Sequence, residues 1–151
     1  MLLTNHVLSG ALIGALARRP APAFAIGVAS HFALDAVPHW GDWGSERRFL
    51  RVAVPDGLIG LVAMGTFAAL SPPERRPAVV AGMAGAALPD LDKPVKLCFG
   101  RSPFPGVVDR FHGRIQREAA GRAHLEVLAA AALAAAALSA LRLRRPKAAP
   151  S

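Results

Sequence analysis

Five apolar segments, separated by prolines and charged residues, constrain the fold of this chain more than any other feature of its sequence. They cover residues 4–17, 22–38, 52–70, 78–88 and 125–141. None has the period-2 alternation of strands, so the pattern predicts an all-α fold. A helix of about 17 residues reaches ~25 Å, against ~30 Å for the hydrocarbon core of a bilayer. We therefore predict a small integral-membrane bundle of about four to five short helices.

The composition agrees with a membrane environment. The chain is 53% hydrophobic and only 19% charged, whereas soluble domains average ~25% charged residues. We expect one helical membrane domain over residues 1–143 and a disordered basic tail over 144–151. Within the domain, residues 107–124 are predicted to form an amphipathic interfacial helix. The expected location is a bacterial-type inner (plasma) membrane, with membrane lipid as a partner.

The formal net charge of +8 has three readings: nucleic acid, anionic lipid headgroups, or membrane topology. The basic residues lie between apolar segments, which favours the last two. Nucleic-acid binding is not expected, because the basic region 93–122 offers few aromatic side chains for base stacking. The distribution of Lys and Arg leans weakly toward a cytoplasmic location of the polar side, and arginines there can equally bind phosphate.

The stretch "SHFALDAVPHW" gathers metal-competent side chains in an apolar segment. His31, Asp35 and His39 are spaced four residues apart, so on a continuous helix they project from one face. The alternative is a hydrogen-bonded His–Asp pair without a metal.

Histidines and aspartates from all five segments converge if neighbouring helices alternate in direction. The set comprises His6, His31, Asp35, His39, Asp56, Asp90, Asp92, His112 and His124. An aspartate inside an apolar membrane helix costs ~2.5–3.5 kcal/mol, so such groups are retained when they pair, bind metal or do chemistry. Imidazole and carboxylate ligands suit Zn, Fe or Mn, and the single Cys98 excludes a cysteine-based zinc knuckle.

Each of these residues also has a structural interpretation when it is taken alone. Asp56 follows Pro55 and can act as a partner for a helix N-terminus. His112 lies among arginines and can be a surface histidine, and "PDLDKP" can be a solvated turn.

Together, "TNHVLSGALIG", "SHFALDAVPHW", the Asp56 helix, "LPDLDKP" and "FHGRIQ" resemble small bacterial membrane proteins of unassigned function. These are similar to the group named inner-membrane-associated metal-dependent hydrolases. In that group the two main motifs usually occur in the reverse order, and a histidine occupies the position of Lys93. A more distant similarity, through His31, Asp35 and His39, is to zinc-dependent phospholipase C and related all-α enzymes. The resemblance implies an all-α fold and a metal site.

The hypothesis that follows is a membrane-bound, metal-dependent hydrolase that acts on a phosphoester. The predicted metal ligands are His6, His31, Asp35, His39, Asp56 and His124, with zinc as the expected divalent ion. Asp90, Asp92 and His112 are the predicted catalytic residues, and Arg110 and Arg114 the predicted phosphate ligands. The alternative is a non-catalytic membrane protein in which the same cluster forms a structural or ion-binding network.

Overall fold

The computed structural model describes residues 1–41 and 44–143, and these residues are mostly helical. The five apolar segments form the long helices of the bundle. They are α1 (Leu3–Leu16), α2 (Pro20–Asp35), α3 (Glu46–Leu70), α4 (Arg76–Ala87) and α7 (Ala123–Leu143). The predicted all-α class is confirmed. The predicted tail, residues 144–151, lies outside the described residues.

The connection between α4 and α7 is more structured than predicted. A 3₁₀ turn (Leu88–Leu91) leads directly into α5 (Asp92–Phe99), and α6 (Gly106–Ile115) follows. The predicted interfacial helix over 107–124 is therefore too long. It ends at Ile115 because Gln116 is extended, with φ −61° and ψ 126°. The next residues form a two-residue strand, β2 (Glu118–Ala119), which pairs in parallel with β1 (His39–Trp40).

Glycines allow α4 to pack closely against α1 and α2. A Cβ atom on Gly82 would overlap the carbonyl oxygen of Gly10 on α1, and one on Gly85 would overlap the carbonyl oxygen of Phe24 on α2. Backbones can approach this closely only where both surfaces carry small residues. The three helices therefore form a tight unit with α4 in contact with both others.

The buried core joins α1 and α4 of this unit to α3 and α7. Its buried members include Val7 of α1, Met83 of α4, Phe67 of α3 and Ala137 of α7. The outer surfaces of α3 and α7 are not part of this core. Both helices are long and apolar enough to cross a membrane. Only 11% of the most apolar window of α3 and 22% of that of α7 is buried inside the protein. Most of their apolar surface therefore faces outward.

We predict that Gly82→Ala destabilises the protein while Gly65→Ala does not. The added methyl group at Gly82 overlaps a backbone carbonyl, and such overpacking typically costs about 1–3 kcal/mol. Gly65 lies on α3 with nothing within 4 Å of its Cβ position, so alanine there raises helix propensity by about 0.5–1 kcal/mol. Thermal unfolding followed by circular dichroism in detergent compares the two variants. Equal melting temperatures would contradict the close packing of α1 and α4.

Candidate metal centre

Asp35, the last residue of α2, lies at the centre of a buried polar cluster. His6 Nε2 of α1 is 3.2 Å from its Oδ1, while His31 Nε2 of α2 and His112 Nε2 of α6 are each 3.1 Å from its Oδ2. His31 and Asp35 share a helix face because they are four residues apart. All four side chains are buried. Three helices thus bring three imidazoles to one carboxylate.

Three of these atoms form a nearly equilateral triangle. His31 Nε2, His112 Nε2 and Asp35 Oδ2 are separated from one another by 3.1 Å. Ligand atoms of a tetrahedral zinc ion, with Zn–N distances near 2.0 Å, lie about 3.3 Å apart. The observed spacing therefore matches three corners of a tetrahedral site and leaves the fourth corner for water or substrate.

The tautomer of His31 strengthens this interpretation. Its Nδ1 lies 2.8 Å from the carbonyl oxygen of Ala86, which can only accept a hydrogen bond, so Nδ1 carries the hydrogen. In the neutral ring the Nε2 lone pair then faces Asp35 Oδ2 and His112 Nε2. Two acceptors this close repel each other unless a proton or a metal ion lies between them. A metal-ligating histidine commonly donates its other N–H to a backbone carbonyl in this way.

Asp90 and Asp92 extend the cluster from the 3₁₀ turn and the start of α5. Asp90 Oδ1 is 3.9 Å from His31 Nε2 and 3.7 Å from His112 Nε2, and Asp92 Oδ2 is 3.9 Å from His112 Nδ1. Lys93 forms an ion pair with Asp90. Burial alone would raise the pKa of the Asp90 carboxyl, but the nearby Lys93 and the histidines hold this pKa below its ordinary value. Burial raises the pKa of Asp92, with Lys93 opposing it.

The side chain of His6 has a buried nitrogen that needs an explanation. Its Nε2 lies 3.2 Å from Asp35 Oδ1, but its Nδ1 has no hydrogen-bond partner among the described residues, although the side chain is fully buried. Buried polar atoms are nearly always paired, and an exception often marks an ion or a water. Three overlapping groups have ligand atoms within 4.8 Å of one another: His6, His31 and Asp90; His31, Asp35 and His112; Asp90, Asp92 and His112. Because they share residues, they suit one or two ions rather than three.

His39 does not join the cluster. Helix α2 ends at Asp35 rather than near Pro38, so the predicted helical face stops one turn before His39. His39 instead lies in β1, where its Nδ1 is 2.9 Å from the carbonyl oxygen of Val37. It is buried, but belongs to none of the three groups.

Asp56 caps a helix. Its Oδ2 accepts a hydrogen bond from the Leu3 backbone N–H at 2.6 Å, and its Oδ1 accepts from the Thr4 hydroxyl at 2.6 Å and the Thr4 backbone N–H at 3.3 Å. These are unpaired donors of the first turn of α1. The geometry therefore places Asp56 at the N-terminus of α1. The sequence context suggested the N-terminus of its own helix instead, but α3 begins at Glu46, so Asp56 lies inside that helix.

The remaining predicted residues lie on the surface. His124, at the start of α7, is exposed and belongs to none of the three groups. Arg110 and Arg114 are exposed on α6, two residues before and after His112. Residues that are two apart on a helix do not share a face. Both arginine side chains therefore leave α6 on the side away from the cluster. Their role in phosphate binding stays a prediction.

Glu126 is a buried polar residue that the sequence interpretation did not use. From α7 its Oε2 accepts hydrogen bonds from the Asn5 side chain at 2.6 Å and the Leu2 N–H at 3.2 Å, and its Oε1 accepts from the Trp40 N–H at 3.0 Å. The sequence did contain a signal for it. Glu126 is an acidic residue in an apolar helix, and burying such a residue is costly unless it has partners. Gln116 was also missed, and its Nε2 lies 3.1 Å from His112 Nε2.

No family model, curated protein or solved structure matches this chain. The resemblance to metal-dependent hydrolases of the inner membrane accordingly stays a prediction. What the structure does contain is a buried set of His and Asp side chains with the spacing that a metal ion requires.

We predict that His31→Ala lowers the affinity of the purified protein for a divalent metal at least about tenfold. His31 contributes to two of the three groups, so its loss removes a ligand from each. His124→Ala is the matched control, because it removes the same side chain from an exposed position. Metal content is measured by plasma mass spectrometry after loading and desalting. Equal metal in both variants, or none in the wild-type protein, would contradict the site.

We further predict that Asp56→Ala lowers stability without changing the bound metal. Losing a side-chain cap typically costs about 0.5–2 kcal/mol, and here the Leu3 and Thr4 donors also lose their acceptor. Chemical unfolding gives the stability of the variant, and mass spectrometry gives its metal stoichiometry. A folded Asp56→Ala protein that has lost its metal would instead make Asp56 a ligand, as the sequence interpretation expected.

Proposed function

We propose that this chain is a membrane-embedded, metal-dependent hydrolase that acts on a phosphoester. The observation that carries the proposal is the triangle of His31, Asp35 and His112, in which three atoms able to bind a metal ion lie 3.1 Å apart. The buried Nδ1 of His6, which has no hydrogen-bond partner among the described residues, adds a second indication of an ion.

The proposed location in the membrane is supported by α3 and α7. Both are long and apolar enough to cross a bilayer, and their exposed side chains include Leu58, Leu61 and Val62 of α3 and Val127 and Leu128 of α7. Large contiguous apolar surfaces of this kind are rare on soluble monomers. Lys93 is ion-paired with Asp90 of the polar cluster, and the exposed Arg110 and Arg114 lie on the helix that carries His112, so this end of the bundle suits a membrane face and its headgroups.

The donor set favours zinc, with manganese or iron as further candidates. Imidazole nitrogen is a common zinc ligand, and the mixture of imidazole and carboxylate suits all three metals. His31, Asp35 and His112 would hold one ion. His6 and Asp90 extend toward a second position that shares His31, and sites with two metals are common in phosphoester hydrolases.

A bound zinc ion would supply a water molecule whose pKa is lowered to about 7. The residues of the chain would do the rest of the reaction. Asp92 would accept a proton from the attacking water, whose oxygen forms the new bond to phosphorus. The ester P–O bond would break, and the departing alkoxide would take the same proton back from Asp92. Lys93, held against Asp90, would offer positive charge to the phosphoryl oxygens during this exchange.

A second candidate function is a structural or ion-binding network without catalysis. Asp56 and Glu126 favour it, because both buried carboxylates hold the N-terminal turn of α1 through hydrogen bonds. The His/Asp triangle differs from these two, since its three facing atoms also have the spacing of metal ligands.

We predict metal-dependent hydrolysis of p-nitrophenyl phosphate or bis-p-nitrophenyl phosphate by the purified protein in detergent. Removal of the metal by a chelator should abolish it, and zinc or manganese should restore it. Asp92→Asn should lower kcat by about 10²–10⁴, the usual contribution of a general base. Asp109→Asn is the matched control, since Asp109 pairs with Ser102 and belongs to none of the three groups. A metal-loaded protein that hydrolyses neither ester would support the non-catalytic alternative.

A further inference from the structure

A large apolar groove runs beside the candidate metal centre. Its volume is about 1050 Å³, and it lies between α3 and the segment formed by the 3₁₀ turn and α5. The α3 side contributes Leu58, Leu61 and Met64, and the opposite side contributes Leu88, Leu91 and Leu97. Its size is at the upper end of ligand sites, which commonly measure ~300–1,000 Å³.

The groove is continuous with the cluster. Asp90 and Gln116 line it, and both also reach His112, with Asp90 Oδ1 at 3.7 Å and Gln116 Nε2 at 3.1 Å from His112 Nε2. A ligand in the groove therefore has one end against the candidate metal ligands.

The lining of the groove is mostly apolar, with charged residues of both signs. Lys93 and Lys96 line it on α5, and Lys93 is ion-paired with Asp90 at the cluster. The carboxylates of Glu46, Asp56 and Glu118 line it as well. The apolar walls favour a hydrocarbon chain, and a metal ion at the cluster would attract an anionic head attached to it.

The groove also opens toward the outer surface of α3. Leu58 and Leu61 line it while remaining 61% and 63% exposed. Since α3 is long and apolar enough to cross a membrane, the open side would face the acyl chains of a bilayer. A lipid chain could enter from there without crossing water.

We propose that the groove binds the hydrocarbon chain of a lipid phosphoester and places its phosphate at the His/Asp centre. The inference rests on the proposed function for the fate of that phosphate, but it makes a separate claim about binding. A second copy of this chain is the rival occupant, and the experiment distinguishes it.

Two glycines of α3 allow a matched test. Gly57 lines the groove, whereas Gly65 lies two turns further along the same helix and does not. Neither has an atom within 4 Å of its Cβ position, so a side chain can start at both without overlapping the backbone. Gly57→Leu places an isobutyl group in the groove, and Gly65→Leu adds the same group elsewhere on α3.

The probes are methylphosphonate, butylphosphonate and octylphosphonate, which resist hydrolysis. Binding to the full-length, zinc-loaded protein is measured by calorimetry at a fixed micelle concentration, with the oligomeric state determined by light scattering. Each methylene that enters the groove should tighten binding about fourfold. Gly57→Leu should weaken octylphosphonate at least about tenfold more than methylphosphonate. Gly65→Leu should behave like the wild-type protein. Because all variants are compared at the same micelle concentration, partition of the probe into micelles cancels from the comparison.

Binding that does not depend on chain length, or that responds equally to both leucine variants, would overturn the inference. A dimer that dissociates only in Gly57→Leu would overturn it as well and assign the groove to a second copy. These results differ from a failure of the proposed function, which is the absence of p-nitrophenyl ester hydrolysis. Chain-dependent binding without hydrolysis would retain the lipid site and reject the enzyme.

Discussion

The rest of the structure depends on the burial of one carboxylate. Asp35 is fully buried at the end of α2, and a buried charge without partners is costly enough to unfold a small domain. It is tolerated because imidazole nitrogens from α1, α2 and α6 lie within 3.2 Å of its two oxygens, and because the ammonium group of Met1 forms an ion pair with its Oδ1 at 3.0 Å. These contacts join helices that are distant in sequence at one point. The chemistry that makes the cluster a metal candidate is therefore also what holds this end of the bundle together.

Much of this arrangement was predictable from the sequence. When neighbouring helices run in opposite directions, the end of one helix and the start of the next lie at the same end of the bundle. That reasoning brought together His6, His31, Asp35, Asp90, Asp92 and His112, which the structure confirms as neighbours. It was wrong for His39, because it assumed that the helix continues to Pro38. Proline disfavours helical backbone at the residue before it, and α2 ends even earlier in the chain, at Asp35. Periodicity shows which residues share a face only as far as the helix extends, and the sequence does not mark that end sharply.

The two residues whose roles were hardest to foresee, Asp56 and Glu126, act on a helix terminus. The first N–H groups of α1 have no acceptor within their own helix, and this end lies among other helices rather than in water. Leu3 and Thr4 donate to Asp56 of α3, and Leu2 donates to Glu126 of α7. Both carboxylates are supplied by the two helices that are long and apolar enough to cross a membrane. The sequence shows an acid in an apolar segment, but it does not show which helix end will need it.

Helix packing and the chemistry of the site are linked through α4. Its glycines let the backbone of α4 approach α1 and α2 closely, and this approach brings the carbonyl oxygen of Ala86 within 2.8 Å of His31 Nδ1. That hydrogen bond determines which nitrogen of His31 is free to bind an ion. The 3₁₀ turn that follows α4 directly then carries Asp90 to the same cluster. A larger residue at the helix contact would displace both the acceptor for His31 and the carboxylate of Asp90. The small residues of α4 are therefore part of the site, although none of them can bind a metal.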